Sequence, residues 1–520
     1  MAIYSLDGDS LTLDALTDIA MRHAEVRLSP RARRQIARAR ALVDQWVRNG
    51  EMVYGVTTGF GEFSTVRIGP SHIEQLQENL ILSHAAGSGE PLPPEIVRAM
   101  MALRINALAK GYSGVRQQTL DLLVGMLNRE VIPVVPSQGS VGSSGDLVQL
   151  SHLVLAMIGK GQVWERSSER ARKVSARSAL RKHGLNPVRL GAKEGLALIN
   201  GTQMMSAYTA LAVSQALDLC KTADVVASLS VEALRGSDTP FDRRIQKLRP
   251  FRGQKAAAAN VRRMMKGSEI RESHRTDDPR VQDAYSIRCI PQVHGASRDA
   301  IDYVADVMAV EVNAATDNPL IFPSERIHLE GGNFHGQPVA LAADFLAIAL
   351  AELANISERR VERLVNGSLS SLPRFLTRHG GLHSGLMIAQ YTAASIVSEN
   401  KVLCHPGSVD SIPTSANQED HNSMGSVSAQ KAWKVLRNAQ TVIGIELLCA
   451  SQGLDFVKEL SGERPLKAGK GTEAVHRTVR QQIPRLERDR ILYYDIEKAL
   501  RLVVSGAVVN AAERSVGPLQ

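Results

Sequence analysis

Cysteine is scarce in this chain: Cys220, Cys289, Cys404 and Cys449 are the only four, widely spaced and without a CxxC pair. That argues against a disulfide scaffold and against a structural zinc module. Aromatic residues make up 4%, too few for the stacking platforms that hold single-stranded nucleic acid. No run of eighteen uninterrupted apolar residues occurs, so no membrane span is expected. The opening stretch, MAIYSLDGDSLTLDAL, has early acids and no apolar h-region, so no secretory leader is expected and the chain reads as cytoplasmic. What is present is ordinary for a globular protein: 44% hydrophobic and 22% charged residues, enough for a large core.

The formal charge of +9 comes partly from two arginine-rich runs, RARRQIARAR (Arg31 to Arg40) and ERSSERARKVSARSALRKH (Glu165 to His183). The first follows Ser29-Pro30, a helix start with Ser as N-cap and Pro in the first turn. Its arginines read as a solvated helix face. Neither run is interleaved with aromatics, so no nucleic-acid partner is expected; an anionic small-molecule substrate fits the charge as well.

Apolar residues recur at three-and-four spacing over Gln337 to Leu364, Glu95 to Ala109, Thr119 to Leu127, Met204 to Leu234, Ala300 to Ala314 and Ala429 to Gly453. Strand-like alternation is rare, as in VIPVVPS (Val131 to Ser137). Gly, Pro and Ser gather in loops: YGVTTGFGE near 54, PSQGSVGSSGD near 136 and HLEGGNFHG near 328. The pattern predicts a mainly α protein, a bundle of long helices with its chemistry in Gly-rich loops. Residues 1–210 are expected to form an N-terminal domain carrying the 139–146 loop. Residues 211–520 are expected to form a central long-helix bundle and a C-terminal helical region. The segment near 165 to 190 reads as a surface insertion or connector.

The loop Gly139 to Asp146, GSVGSSGD, fails the phosphate-loop pattern because Asp follows Gly145, and its glycine spacing fails the dinucleotide fingerprint. One reading is a flexible turn into a helix whose positive end favours Asp146. The other starts from Ser144-Gly145. In a tightly bent loop an unhindered Gly amide nitrogen can attack a nearby carbonyl, and dehydration of the serine leaves an electrophilic methylidene ring.

The residues around this loop resemble the aromatic amino-acid ammonia-lyase family. The resemblance runs over about residues 50 to 425 in matching order: YGVTTGFG, LQENLILSHAAGSG, LRINALAKGYSGVR, GSVGSSGDL, KEGLALINGTQ, VQDAYSIRCIPQVHG, TDNPL, GGNFHGQ and SIPTSANQEDHNSM. It implies the ammonia-lyase/fumarase-like helical fold and a homotetramer with sites assembled from several subunits. It also implies a 4-methylidene-imidazol-5-one (MIO) electrophile formed from Ser143-Ser144-Gly145, with no metal. By the same resemblance Tyr54 is the base that removes a substrate β-proton, a task that requires a phenol pKa well below about 10. Asn200 shapes the cyclisation site, Arg288 clamps the substrate carboxylate with Gln282 and Tyr285 nearby, and Phe334 packs against the electrophile. Taken singly, each has a plainer reading: a turn tyrosine, an Arg288–Asp283 ion pair, a core Phe334, a satisfied turn His335. A degenerate helical scaffold is the non-enzyme alternative, against which Tyr54, Ser144, Asn200 and Arg288 stand together.

Two positions bear on the substrate. His84 matches a family histidine that accompanies imidazole or phenol rings. Glu419 matches the glutamate of the histidine-specific members, where a carboxylate can hold an imidazole N–H but would be costly to bury against a bare phenyl. The resemblance therefore implies elimination of ammonia from L-histidine to give trans-urocanate. Ser143 (in place of Ala), Thr57, Glu62, Val148-Gln149 and Asn422 depart from the histidine-specific pattern, and several of these match tyrosine ammonia-lyases or 2,3-aminomutases, the alternative.

Overall fold

The computed structural model describes residues 2–63, 65–166, 171–276, 278–460 and 464–520. Residues 167–170 of the second arginine-rich run and the side chain of Glu62 lie outside the described residues. Twenty-one α-helices are found among the described residues, and the strands form only small sheets of two or three. The chain divides into two units. The first comprises 1–214, 305–344 and 406–430; the second comprises 215–304, 345–405 and 431–520.

In the first unit the arginine-rich helix Pro30–Asn49 begins as its sequence implies, with the Ser29 hydroxyl accepting the Ala32 N–H at 3.0 Å. Ala39, Leu42, Val43 and Trp46 belong to its buried stripe. They pack in one cluster with Val53, Val56, Ile73, Ala192 and Ile321. Burying an aliphatic side chain of this size contributes about 1.5–3 kcal/mol. Because Val53 and Val56 are anchored here, the tight turn between them, which carries Tyr54, is fixed to the core.

Most of the periodic segments are helices at nearly the expected places: Pro94–Ala109, Gln117–Asn128, Gln203–Ala233, Gln337–Val365 and Gly425–Leu460. Two expectations need correction. The helix expected over 300–314 runs Ile290–Glu311, starting ten residues earlier, because the Pro at 291 sits in a first turn rather than breaking the run. VIPVVPS is not one strand but two short ones, Ile132–Pro133 and Pro136–Gln138, paired in different sheets. Its prolines cannot donate to a ladder, which keeps both pieces short. The run after 165 contributes a strand, Ala171–Ser175, paired antiparallel with Gln162–Arg166, and a helix, Ala176–Lys182.

Among the described residues only Gln337–Val365 is long and apolar enough to cross a membrane, and its apolar window is two-thirds buried (67%), as in a core helix. Within the second unit, a fully buried Arg360 forms a two-pronged ion pair with Glu446, at 2.5 and 2.8 Å, and the Ser230 and Ser357 hydroxyls cap the same carboxylate. The last helices, Lys470–Gln482, Leu492–Val504 and Ala507–Val516, belong to this unit.

Candidate active site

The 139–146 loop is held in a bend by residues far away in sequence. Gly142 has φ +72° and Gly145 φ +75°. A Cβ on Gly145 would lie 2.1 Å from the Gly201 carbonyl oxygen, so only glycine fits where the two backbones touch. The Gly142 carbonyl accepts from the Ser423 hydroxyl (2.9 Å) and the Gly336 N–H (3.1 Å), and Val141 accepts the Met424 N–H at 2.9 Å. Asp146 closes the bend: its N–H donates to Gly201 at 2.7 Å and its carboxylate takes the Met204 and Met205 N–H groups at 2.9 and 3.0 Å. Burial pushes the Asp146 carboxyl up to about 6 in spite of these donors.

The helices starting at Leu147, Gln203, Gln337 and Gly425 thus all begin at or beside this loop. Asp146 already meets the first turn of the Gln203 helix and precedes Leu147, so the partial positive charge left for negative charge developing at the loop comes from the helix starts at Gln337 and Gly425.

A cavity of about 840 Å³ opens over the loop, and Tyr54, His84, Ser143, Ser144, Asn200, Phe334 and Glu419 all line it. Glu419 hangs on a short antiparallel contact with Thr414. Its Oε1 accepts from the Ser144 hydroxyl at 2.9 Å, and its Oε2 accepts from Ser143 at 2.9 Å and Thr414 at 2.8 Å. Asn200 follows the helix Glu194–Ile199. With its amide oriented to satisfy both ends, it donates to the Ser144 carbonyl at 3.0 Å and accepts the Asn318 N–H at 3.2 Å. The Tyr54 hydroxyl accepts the Gly61 N–H at 3.2 Å, which holds the phenol on the cavity wall. Burial lowers the His84 pKa against the upward pull of the Leu80 carbonyl and Glu419, so its ring stays a neutral donor and acceptor. His335 is the satisfied turn histidine of its plainer reading, its Nε2 3.0 Å from the His421 carbonyl oxygen, although it too lines the cavity.

Buried charge supports this shell. Arg104, wholly buried, donates to the carbonyls of Asn200 (3.0 Å) and Ala197 and to Gln203. Lys193 pairs with Asp317 at 2.8 Å and reaches the Asn318 carbonyl at 3.3 Å. Burial lowers the pKa of both cations, Arg104 to about 10, with Asp317 opposing. Nothing local in the sequence marks Arg104, Asn318 or Thr414 as part of this shell. Lys193 has a local signal: it stands beside Glu194 in the apolar run KEGLALI, where charges survive only if paired.

Gln282, Tyr285 and Arg288 belong to the second unit and are not among the residues lining this cavity. Tyr285 and Arg288 share a four-residue helix that Gln282 precedes, and the Arg288 guanidinium lies 4.4 Å from the centre of the Tyr285 ring. Tyr285 is 70% exposed. Asp283 is engaged by the Ser237 N–H at 2.6 Å and by Arg280 at 3.6 Å. The departures at 57, 148 and 422 also lie off the cavity wall. The Thr57 hydroxyl donates to Glu51 and accepts from the Val53 N–H within its own turn, at 2.6 and 3.0 Å. Val148 lies under the loop, its Cγ1 2.8 Å from where a Cβ on Gly139 would stand. Asn422 is buried, its side chain donating to the Ile412 carbonyl. No group of three or more His, Cys, Asp or Glu suited to a metal occurs among the described residues.

Residues 11–481 match the family model described as aromatic amino acid lyase. A histidine ammonia-lyase of Caldanaerobacter subterraneus is 55% identical over 503 residues, 97% of each chain. One of Gloeobacter violaceus is 54% identical, covering 99% of this chain and 98% of its own. Among solved structures, histidine ammonia-lyase from Trypanosoma cruzi superposes with a TM-score of 0.91 at 45% identity, over 99% of this chain and 96% of that one. A tyrosine aminomutase from Streptomyces globisporus superposes equally well, TM-score 0.91 over the whole of both chains, at 37% identity.

Proposed function

The chain belongs to the aromatic amino acid lyase family, and from that membership we propose that it eliminates ammonia from L-histidine to give trans-urocanate. The observation that carries the substrate assignment is the Glu419 carboxylate, held beside Ser144 on the wall of the cavity that His84 also lines. An imidazole N–H satisfies the carboxylate oxygen that Ser143 and Thr414 leave free, whereas a bare phenyl would bury that oxygen without a donor. The two relatives at 54 and 55% identity carry the histidine ammonia-lyase name, and the aminomutase stands further off at 37%.

Ser143, Ser144 and Gly145 suit an MIO ring. The bend, the bare Cα of Gly145 against Gly201 and the Asn200 amide on the Ser144 carbonyl are what closure of these residues would need. Closure would join the Gly145 nitrogen to the Ser143 carbonyl carbon and release two waters, one with that carbonyl oxygen and one with the Ser144 hydroxyl. The ring would supply a conjugated electrophile that makes the amino group a better leaving group. The chain's own residues do the rest. Tyr54 accepts the β-proton, Asn200 polarises the carbonyl at residue 144, and Glu419 with His84 orients the substrate ring. The helix N-termini at Gln337 and Gly425 stabilise developing negative charge.

The carboxylate clamp is assigned to Arg288, with Tyr285 and Gln282, supplied by neighbouring copies in a homotetramer. Exposed apolar side chains of the second unit, among them Tyr303, Phe345, Ile388, Tyr391 and Val402, support such an assembly. Sedimentation velocity giving a monomer at micromolar concentration would overturn it. The substrate is tested by offering L-histidine, L-tyrosine and L-phenylalanine separately and following product absorbance in the near ultraviolet. Urocanate is the expected dominant product; dominant coumarate would reverse the assignment. Ser144→Ala should keep the fold and lose nearly all turnover.

A further inference from the structure

The Glu419 carboxylate is held unevenly. Its Oε2 takes two hydroxyl donors, Ser143 at 2.9 Å and Thr414 at 2.8 Å, whereas Oε1 takes the Ser144 hydroxyl at 2.9 Å. Of these three donors, only the Ser144 hydroxyl departs as water when the ring closes. The side chain of Ser143 takes no part in closure, which uses that residue's carbonyl carbon alone. We propose that Ser143 and Thr414 are positioning residues for substrate recognition: they pin Oε2 of Glu419, so that Oε1, vacated by the Ser144 hydroxyl, faces the cavity as the acceptor for the substrate's ring N–H.

The physical need is plain. The terminal torsion of a glutamate is broad and roughly two-fold, so a carboxylate held at one point swings between orientations. Two donors on one oxygen select a single orientation before substrate arrives, and preorganisation of this kind raises affinity by cutting the ordering cost of binding. Ser143 is 5% exposed and part of the rigid bend, and Thr414 is tied to Glu419 by paired backbone hydrogen bonds of 3.0 and 3.3 Å. Both donors are therefore themselves fixed. The serine at 143 thereby acquires a use that an alanine there would lack: it adds a second hydroxyl to an anion that loses one during maturation.

This inference rests on the histidine reading, and its test separates the two. The full-length enzyme is compared with Ser143→Ala, Thr414→Val, Thr414→Ser and the Ser143→Ala/Thr414→Val double variant, by intact mass and by steady-state kinetics on L-histidine. All variants should show the mass deficit of two waters. Ser143→Ala and Thr414→Val should each raise KM about tenfold, the weight of one hydrogen bond to a charged group, with kcat within about threefold. The double variant should raise KM further, and Thr414→Ser should restore it. Unchanged KM in the double variant of an enzyme that makes urocanate overturns the positioning role and leaves the function standing. Loss of the mass deficit in Ser143→Ala overturns it too, by moving the hydroxyl into ring formation. A wild-type enzyme with the mass deficit but no urocanate overturns the histidine reading, and this inference with it.

Discussion

The carboxylate of Asp146 accepts the backbone N–H of Met205 at 3.0 Å, so the last residue of the glycine-rich loop caps the first turn of the helix Gln203–Ala233. It takes the neighbouring Met204 N–H as well. One side chain thus satisfies two of the orphan donors of a 31-residue helix while fixing the loop that bears Ser144.

That position gives Asp146 a measurable pH signature. Burial raises its carboxyl from an ordinary 3.8 to about 6. The folded protein holds this proton longer than the unfolded chain, so the associated stability is present below about pH 4 and is lost as pH rises through about 6. The span of roughly two pH units corresponds to about 3 kcal/mol. Glu232, wholly buried and pushed up to about 7, acts in the same direction. Comparing urea unfolding of wild type and Asp146→Asn at pH 4 and pH 7 isolates the Asp146 share. The variant should show a smaller loss of stability between the two pH values; equal losses would reject the assignment.

Gly145→Ala should be among the most damaging single-methyl additions in the chain. The new Cβ would lie 2.1 Å from the Gly201 carbonyl oxygen, and the residue would be held at φ +75°. The backbone contact cannot relax as a flexible side chain would, so the two strands of the Gly145–Gly201 bridge must part. The expected result is loss of the two-water mass deficit together with a fall in Tm of several degrees, read by intact-mass spectrometry and thermal melting.

Much of this site is legible in the sequence because its signals are local. Ser29-Pro30 announces a helix start, GSVGSSGD announces a bend, and Tyr54, Ser144, Asn200 and Glu419 stand inside short motifs whose order is itself informative. What escapes is what folding adds across long separations. Nothing near residue 104 tells that its guanidinium will hold the carbonyl of Asn200, 96 positions away. Thr414 is an unremarked residue five before Glu419 until a backbone bridge places its hydroxyl on the carboxylate. Thr57 errs the other way: it looks like a substrate determinant, yet its hydroxyl is consumed by its own turn.

Tyr54→Phe should separate chemistry from binding. The phenol oxygen accepts one hydrogen bond, from Gly61, and the ring sits in a turn fixed by the neighbouring valines. Removing the oxygen keeps the packing and deletes the acceptor for the β-proton. A fall in kcat of about 10² to 10⁴, with KM changed far less, is expected from loss of a general base. A kcat within tenfold of wild type would assign the proton to another group.

The second unit offers a stability test independent of the chemistry. Arg360 and Glu446 are both wholly buried, and every oxygen of the carboxylate is matched, by two guanidinium nitrogens and by the hydroxyls of Ser230 and Ser357. These residues lie on the three long helices Gln203–Ala233, Gln337–Val365 and Gly425–Leu460. Removing one partner strands the other as a buried charge, so Glu446→Leu should cost about 3–5 kcal/mol in urea unfolding, and Arg360→Met a similar amount. Replacing both should recover most of that loss, because the desolvation of two ions disappears along with their attraction. The double variant leaves the Ser230 and Ser357 hydroxyls without their acceptor, which sets its remaining deficit at about 1–3 kcal/mol. If instead the double loss equals the sum of the single losses, the two residues are uncoupled and the ion pair does not organise this core.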